Sequence, residues 1–410
     1  MENLRTPSRE LPASAPVRWG FGVAEFWLVL YVCAGTVKAI PMVADAIPID
    51  LTAAFGVLCV TALGMRALAV GRLHPKKLGT FDALLVMFCA VLALGILLSP
   101  VGSEVALKKV ATFVVPGVIA CYALPGIMAT VSPPRTVVRN SLTAILVLAA
   151  GLSAGMFFQG QFLARSPGGS YVSWGQLLGA AIIAGSALLR SASSKAARAA
   201  LSSLLLLLLA AFAYSGSRGP LVALAGTLLV GILLYRWIPI RKRAFLAAIA
   251  IAGGAMLLLV LPANLQNRYE RLVETNNDTS IQSRLNAYGI AWEMFVARPL
   301  LGHGTASYGA YHERFGYPHN ILLEIAAENG LLGLGLFLAF LANLLTQLAR
   351  AMLRVRDQDR ILLETVGLLF VFTFLSSLFS GDITARLLWF SAGLVAVASR
   401  GQARYAREGE

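Results

Sequence analysis

Charge is scarce in this chain. Asp, Glu, Lys and Arg make up 13% of it, against 58% hydrophobic residues and a mean hydropathy of +0.73. A soluble globular domain carries about a quarter charged residues, so that class is excluded. Cysteine is scarce as well. Cys33, Cys59, Cys89 and Cys121 all fall inside apolar runs without ligand spacing, which excludes a disulfide framework and a cysteine-based metal site and leaves small core hydrophobes. The spacing H-x8-H-x6-H of His303, His312 and His319 matches no zinc pattern. The chain has no P-loop and no G-x-G-x-x-G opening a helix after a strand; GHG and GLLGLG belong to a loop and an apolar helix. No metal and no nucleotide cofactor is expected.

What is present is a series of long apolar runs. They cover 21–40, 51–70, 81–98, 110–131, 142–158, 172–189, 199–214, 221–235, 245–261, 331–348, 361–379 and 387–398. Most approach the roughly 20 residues that cross a hydrocarbon layer; 387–398 is the shortest. The fold class expected is an all-α polytopic membrane protein of about twelve transmembrane helices with one large outer loop. Residues 1–20 form a polar tail without a cleavable signal pattern, 21–261 the first nine spans, 262–330 the large loop, 331–399 the last three spans and 400–410 a second tail.

The net charge of +14 does not point to nucleic acid, because the basic residues sit in short loops between apolar runs. There they act as topology signals and as contacts for membrane lipids. The loops within 66–77, 135–139, 190–198, 236–243, 350–360 and 400–407 are rich in Arg or Lys, and the alternate loops are mostly poor in them. By the positive-inside rule both termini are cytoplasmic and the large loop faces the periplasmic side.

The arginines on the basic-poor side carry the functional information. Arg165, Arg218 and Arg386 lie in short outer loops, and the long loop adds Arg284, Arg298 and others. Single outer arginines pair with headgroups or nearby glutamates. Several converging on one face match a polyanion at the membrane surface, above all a pyrophosphate, whose oxygens accept the guanidinium fork. Ser215-Gly216-Ser217-Arg218-Gly219-Pro220 fits either a phosphate nest or a tight turn whose arginine reaches the headgroups. In Tyr317-Pro318-His319-Asn320, His319 stands where the outer loop meets a helix that carries Asn320, Glu324 and Glu328 on one face. A neutral imidazole there fits a base for a sugar hydroxyl, and equally a structural histidine in a turn. His303 and His312 receive no role.

These stretches, SGSRGP, SRLNAYGIAWEMFVARPLLGHG and YPHNILLEIAAENGLLGLG, resemble the O-antigen ligase and polymerase superfamily. His319-Asn320, nine residues, Gly330, two residues and Gly333 match the pattern H-[NSQ]-x9-G-x2-[GTY] of its ligase branch. The family's R-x3-L is met by Arg218 with Val222 in place of Leu, a conservative departure. The resemblance implies a membrane glycosyltransferase (GT-C-like) architecture in the bacterial inner membrane. It implies transfer of O-antigen polysaccharide from an undecaprenyl-pyrophosphate-linked glycan donor to a lipid A-core acceptor, inverting and metal-independent. His319 would be catalytic, and Arg218, Arg284, Asn320, Ser217, Arg165, Arg298, Arg386 and Tyr317 would bind substrate. A single large outer loop favours a ligase over a polymerase or a protein O-oligosaccharyltransferase. A transporter of anionic lipid would instead place polar groups near the midplane of repeated halves.

Overall fold

The structure is a computed structural model that describes residues 22–38, 40, 43, 49–71, 79–158, 170–234, 241, 279–312, 315–355 and 358–408. Among these residues the regular structure is helical, without strands. The helices are α1 (Val23–Val32), α2 (Ala34–Lys38), α3 (Leu51–Val70), α4 (Thr80–Leu94), α5 (Ser103–Thr112), α6 (Leu124–Val131), α7 (Pro134–Phe158) and α8 (Tyr171–Ser191). They continue with α9 (Lys195–Tyr214), α10 (Arg218–Leu234), α11 (Thr279–Ala297), α12 (Tyr308–Tyr311), α13 (Ile321–Arg354), α14 (Gln358–Ser380) and α15 (Arg386–Glu408). A 3-10 turn, Gly95–Leu98, extends α4, and a π-helix, Phe113–Ala123, joins α5 to α6.

Over their described residues the expected apolar runs are helical, apart from Gly22 before α1, a turn at Cys33 between α1 and α2 and a bend at Ile40; 245–261 lies outside the described residues. Eight segments are long and apolar enough to cross a bilayer, with α1 and α10 as shorter apolar helices. The protein is a multi-pass membrane protein. Capping sets the ends: Asp50 Oδ1 accepts the Thr52 N–H at 2.8 Å before α3, Ser194 caps α9, and Gly71, at φ 66°, closes α3 in the left-handed region. The lipid-facing side of α3 leaves Val57, Val60, Met65 and Leu68 exposed.

The shortest apolar run belongs to the most interior helix. Leu388, Trp389, Phe390, Leu394 and Val395 of α15 are buried, so twelve apolar residues suffice without facing lipid all round. The expected tail from 400 continues this helix to Glu408. The π-helix packs along α15: Pro116 removes a backbone donor and widens the turn. Gly117 then lies against Trp389, and Gly393 against the Tyr122 carbonyl.

Contacts sort the helix ends into two sets. At one end Arg66 pairs with Glu25, Arg400 with Asp82, and Arg190 and Arg360 with Glu364. That is the end of the basic loops. At the other end Arg386 meets Tyr31, Ser217 meets Tyr171, and Thr305 meets Leu92. These are loops poor in basic residues. Among the described residues these contacts therefore group helix ends by the loops they join. The buried acids Glu25, Asp82 and Glu364 sit near helix ends and are paired there.

Candidate active site

The site is built on a break in α13. Gly330 has φ 61° and ψ −161°, a backbone region open essentially to glycine alone. The break leaves the carbonyls of Ala327 and Glu328 without helical partners, and they accept the N–H groups of His303 (3.1 Å) and Gly304 (2.8 Å). Leu331 and Leu332 in turn donate to Pro299 (2.7 Å) and Leu300 (3.2 Å). The segment 299–305 is thus threaded into the break. A Cβ on Gly330 would lie 2.4 Å from the Leu300 backbone, and one on Gly302 2.4 Å from that of Glu328. His303 is fixed by the Met294 carbonyl and the Tyr311 hydroxyl, both at 2.9 Å, which is a structural use.

A prediction follows from this fit. Gly330→Ala should destabilise the protein by at least ~1–3 kcal/mol from backbone strain, seen as a lower melting temperature in detergent. Gly335→Ala in the same helix meets no atom within 4 Å, and should not lower it. Equal behaviour of the two variants would show that the break tolerates a side chain.

The outer portion of α13, before Gly330, carries two buried carboxylates. Lys109 of α5 lies 2.6 Å from Glu324 Oε1 and 2.8 Å from Glu328 Oε1. Backbone donors add to this: Ile383 N–H donates to Glu324 (2.9 Å), and Ala306 (2.9 Å) and Tyr308 (3.4 Å) donate to Glu328. One ionic triad therefore ties together α5, the 305–308 loop, α13 and the loop between α14 and α15. Buried charge is tolerated where an opposite charge pairs with it in this way. The expectation had Asn320 on the same face as the two glutamates. Asn320 instead caps α13, its Oδ1 accepting Leu322 (3.0 Å) and Leu323 (3.1 Å) N–H. The helix begins at Ile321, beyond Pro318.

His319 directly precedes that cap with φ 60°, an uncommon conformation for a side-chain-bearing residue. It turns the imidazole out of the helix line, between Phe315 (4.8 Å between centroids) and Tyr317 (4.5 Å). Burial, then the Arg284 guanidinium, then His312 lower its pKa to about 4. The ring is therefore neutral at neutral pH. Burial, with Asp382 and Glu324 nearby, pushes the Tyr317 phenol up to about 12, so it is a proton donor. Arg284, on α11, reaches Ser380 at the end of α14, its Nη2 3.5 Å from the hydroxyl. Gly219 abuts the same Ser380, placing the Arg218 end of α10 beside it.

His319, Tyr317, Arg284, the start of α10 and Asp382 thus share one neighbourhood at one end of the bundle. Arg386 sits on its far flank, donating to the Tyr31 carbonyl (3.1 Å), and lines a cavity of about 400 Å³. The remaining expected residues are elsewhere. Ser217 is buried, with its hydroxyl donated to the Tyr171 carbonyl, so it closes the wall between α8 and α10 and binds nothing outside. Arg298 is exposed at the opposite end of α11 from Arg284, about 21 Å away at 1.5 Å per residue. Arg165 lies outside the described residues, as do three further arginines of the long loop, Arg268, Arg271 and Arg314. Lys109, Ser380 and Asp382 are additions. Two adjacent lysines on the basic-poor side were the available signal for Lys109.

Among the described residues no group of three or more His, Cys, Asp or Glu side chains is arranged to hold a metal ion. Residues 203–338 match the family model described as O-antigen ligase. That match supports membership of the O-antigen ligase/polymerase superfamily. Comparison with curated proteins gave no match. The superfamily segment contains Arg218, Arg284, His319 and Gly330, while Lys109, Asp382 and Arg386 come from outside it. Its glycine positions have physical reasons here. Gly330 admits the 299–305 segment, and a Cβ on Gly333 would lie 2.4 Å from that of Asn329, whose amide holds Thr305. The matched family implies lipid-linked glycan and acceptor substrates in general.

Proposed function

We propose that this protein is the ligase type of the superfamily. It transfers O-antigen polysaccharide from undecaprenyl pyrophosphate to a sugar of lipid A-core, at the periplasmic face of the bacterial inner membrane. The observation that carries this reading is the convergence of a neutral His319 with Arg284 and the start of α10, at the end of the bundle where basic-poor loops emerge.

In this mechanism the acceptor hydroxyl oxygen attacks the anomeric carbon of the donor. The bond from that carbon to the pyrophosphate oxygen breaks, and polyprenyl pyrophosphate leaves with the electron pair. Arg284 and Arg218 stabilise the charge that develops on it, and the low pKa of His319 lets it take the acceptor's proton. One displacement inverts the anomeric centre. Arginine supplies the electrostatic role, so no step requires a metal ion. Tyr317 and Asn320 position the loop that holds His319.

Two results test this reading in cells. A periplasm-only reporter fused at Asn276 should be active and one at Lys242 silent, since their loops fall on opposite sides by charge. Cells lacking the protein should keep full-length polyprenyl-linked glycan and lose glycan on lipid A-core. Short-chain glycan still attached to lipid A-core would instead identify a polymerase.

A further inference from the structure

The cavity beside Arg386 has a chemistry of its own. It opens between α2, the start of α8, the last turns of α14 and the loop that leads into α15. Its volume of about 400 Å³ lies within the ~300–1,000 Å³ of ordinary ligand pockets. Thr36, Ser173, Ser376, Ser380 and Thr384 line it with hydroxyls and Gln176 with an amide.

Its charged groups are already engaged. Arg386 donates to the Tyr31 carbonyl and lies over the Tyr31 ring, Lys38 is paired with Asp50, and Asp382 accepts from the N–H and hydroxyl of Thr384. What remains on offer is a set of neutral groups that both donate and accept, beside one carboxylate. Ser376 sharpens the point. It is 1% exposed, lines the cavity, and its Oγ has no hydrogen-bond partner. A buried hydroxyl left unpaired is costly, and a ligand hydroxyl would complete it. Phosphate needs an excess of donors and is repelled by Asp382. A saccharide, with hydroxyls that donate and accept in equal measure, matches the lining.

We propose that this cavity is the saccharide subsite, holding the first sugars of the lipid-linked glycan while the pyrophosphate lies across Ser380 on the Arg284 side. The assignment rests on the transferase reading above. Ser380 is the shared post, since it lines the cavity and receives Arg284.

The test is binding of two probes to the full chain in nanodiscs: undecaprenyl pyrophosphate carrying a short oligosaccharide, and the same lipid without sugar. Ser376→Ala and Gln176→Leu should each weaken the glycan-bearing lipid about tenfold, the value of one hydrogen bond, and leave the bare lipid unchanged. Ser376→Ala should also keep or raise the melting temperature, because it removes an unpaired buried group. Equal weakening of both lipids would place pyrophosphate in the cavity and overturn the assignment. Unchanged binding of both would overturn it too. If the wild type bound neither lipid, the transferase reading would fall and the subsite with it; binding of both by wild type with indifferent variants would remove the subsite alone.

Discussion

His319→Ala should abolish transfer, a loss of about a hundredfold to ten-thousandfold for a positioned base, while donor binding survives. His319→Gln should not restore the rate, since its amide orients a hydroxyl and cannot take the proton. The pH profile gives an independent sign. The reaction needs neutral imidazole, and burial together with Arg284 and His312 lowers the His319 pKa to about 4. Activity should therefore stay flat as pH falls through 6.5, the ordinary histidine value, and drop only near pH 4. The unfolded chain takes up that proton first, so the same shift removes stability from the native state between about 6.5 and 4. A Gln variant within a few-fold of wild type would reduce His319 to an orienting group. An Ala variant that loses donor binding would place it on the phosphate.

Arg284→Ala should cost on the order of 2–4 kcal/mol of transition-state stabilisation, about a hundredfold in rate, by removing a charge-assisted contact to the leaving pyrophosphate. Lysine should rescue poorly because it lacks the planar fork. Arg298→Ala is the matched control. It alters an exposed position just beyond the same helix, about 21 Å away by helix rise, and should leave turnover near wild type. If the two alanine variants lose activity alike, the arginines act through a diffuse field and Arg284 has no local contact to the phosphate.

Much of the fold was legible because lipid imposes a simple rule. Runs bounded by caps such as Asp50 and Ser194 become helices, and α3 has the same bounds, 51–70, as its apolar run. The Arg66–Glu25 and Arg386–Tyr31 contacts join ends of α1 that loop charge assigns to opposite sides. The interior place of α15 was not legible, since burial among helices and burial in lipid select the same residues.

The site was legible where local sequence decides geometry, as in Pro318-His319-Asn320 before a helix. It was hidden where distant segments decide. Gly330 is needed because 299–305 threads against it, and nothing near Gly330 in sequence says so. Lys109 continues an apolar run and passes for its flank, yet it pairs with glutamates more than two hundred residues away. For Ser217 the resemblance implies substrate binding, but Gly175 of α8 lets that helix lie against it, and the Tyr171 carbonyl accepts its hydroxyl. Arg298 and Arg284 looked equivalent because both sit in one loop, and a helix of nineteen residues separates them to opposite ends.

The most direct measurement is transfer by the purified protein in liposomes containing undecaprenyl-pyrophosphate-linked glycan and lipid A-core, with chelator present and no nucleotide. The expected result is glycan on lipid A-core with matching release of undecaprenyl pyrophosphate, lost in His319→Ala. Lengthened polyprenyl-linked glycan with unmodified lipid A-core, or transfer that persists without His319, would contradict it.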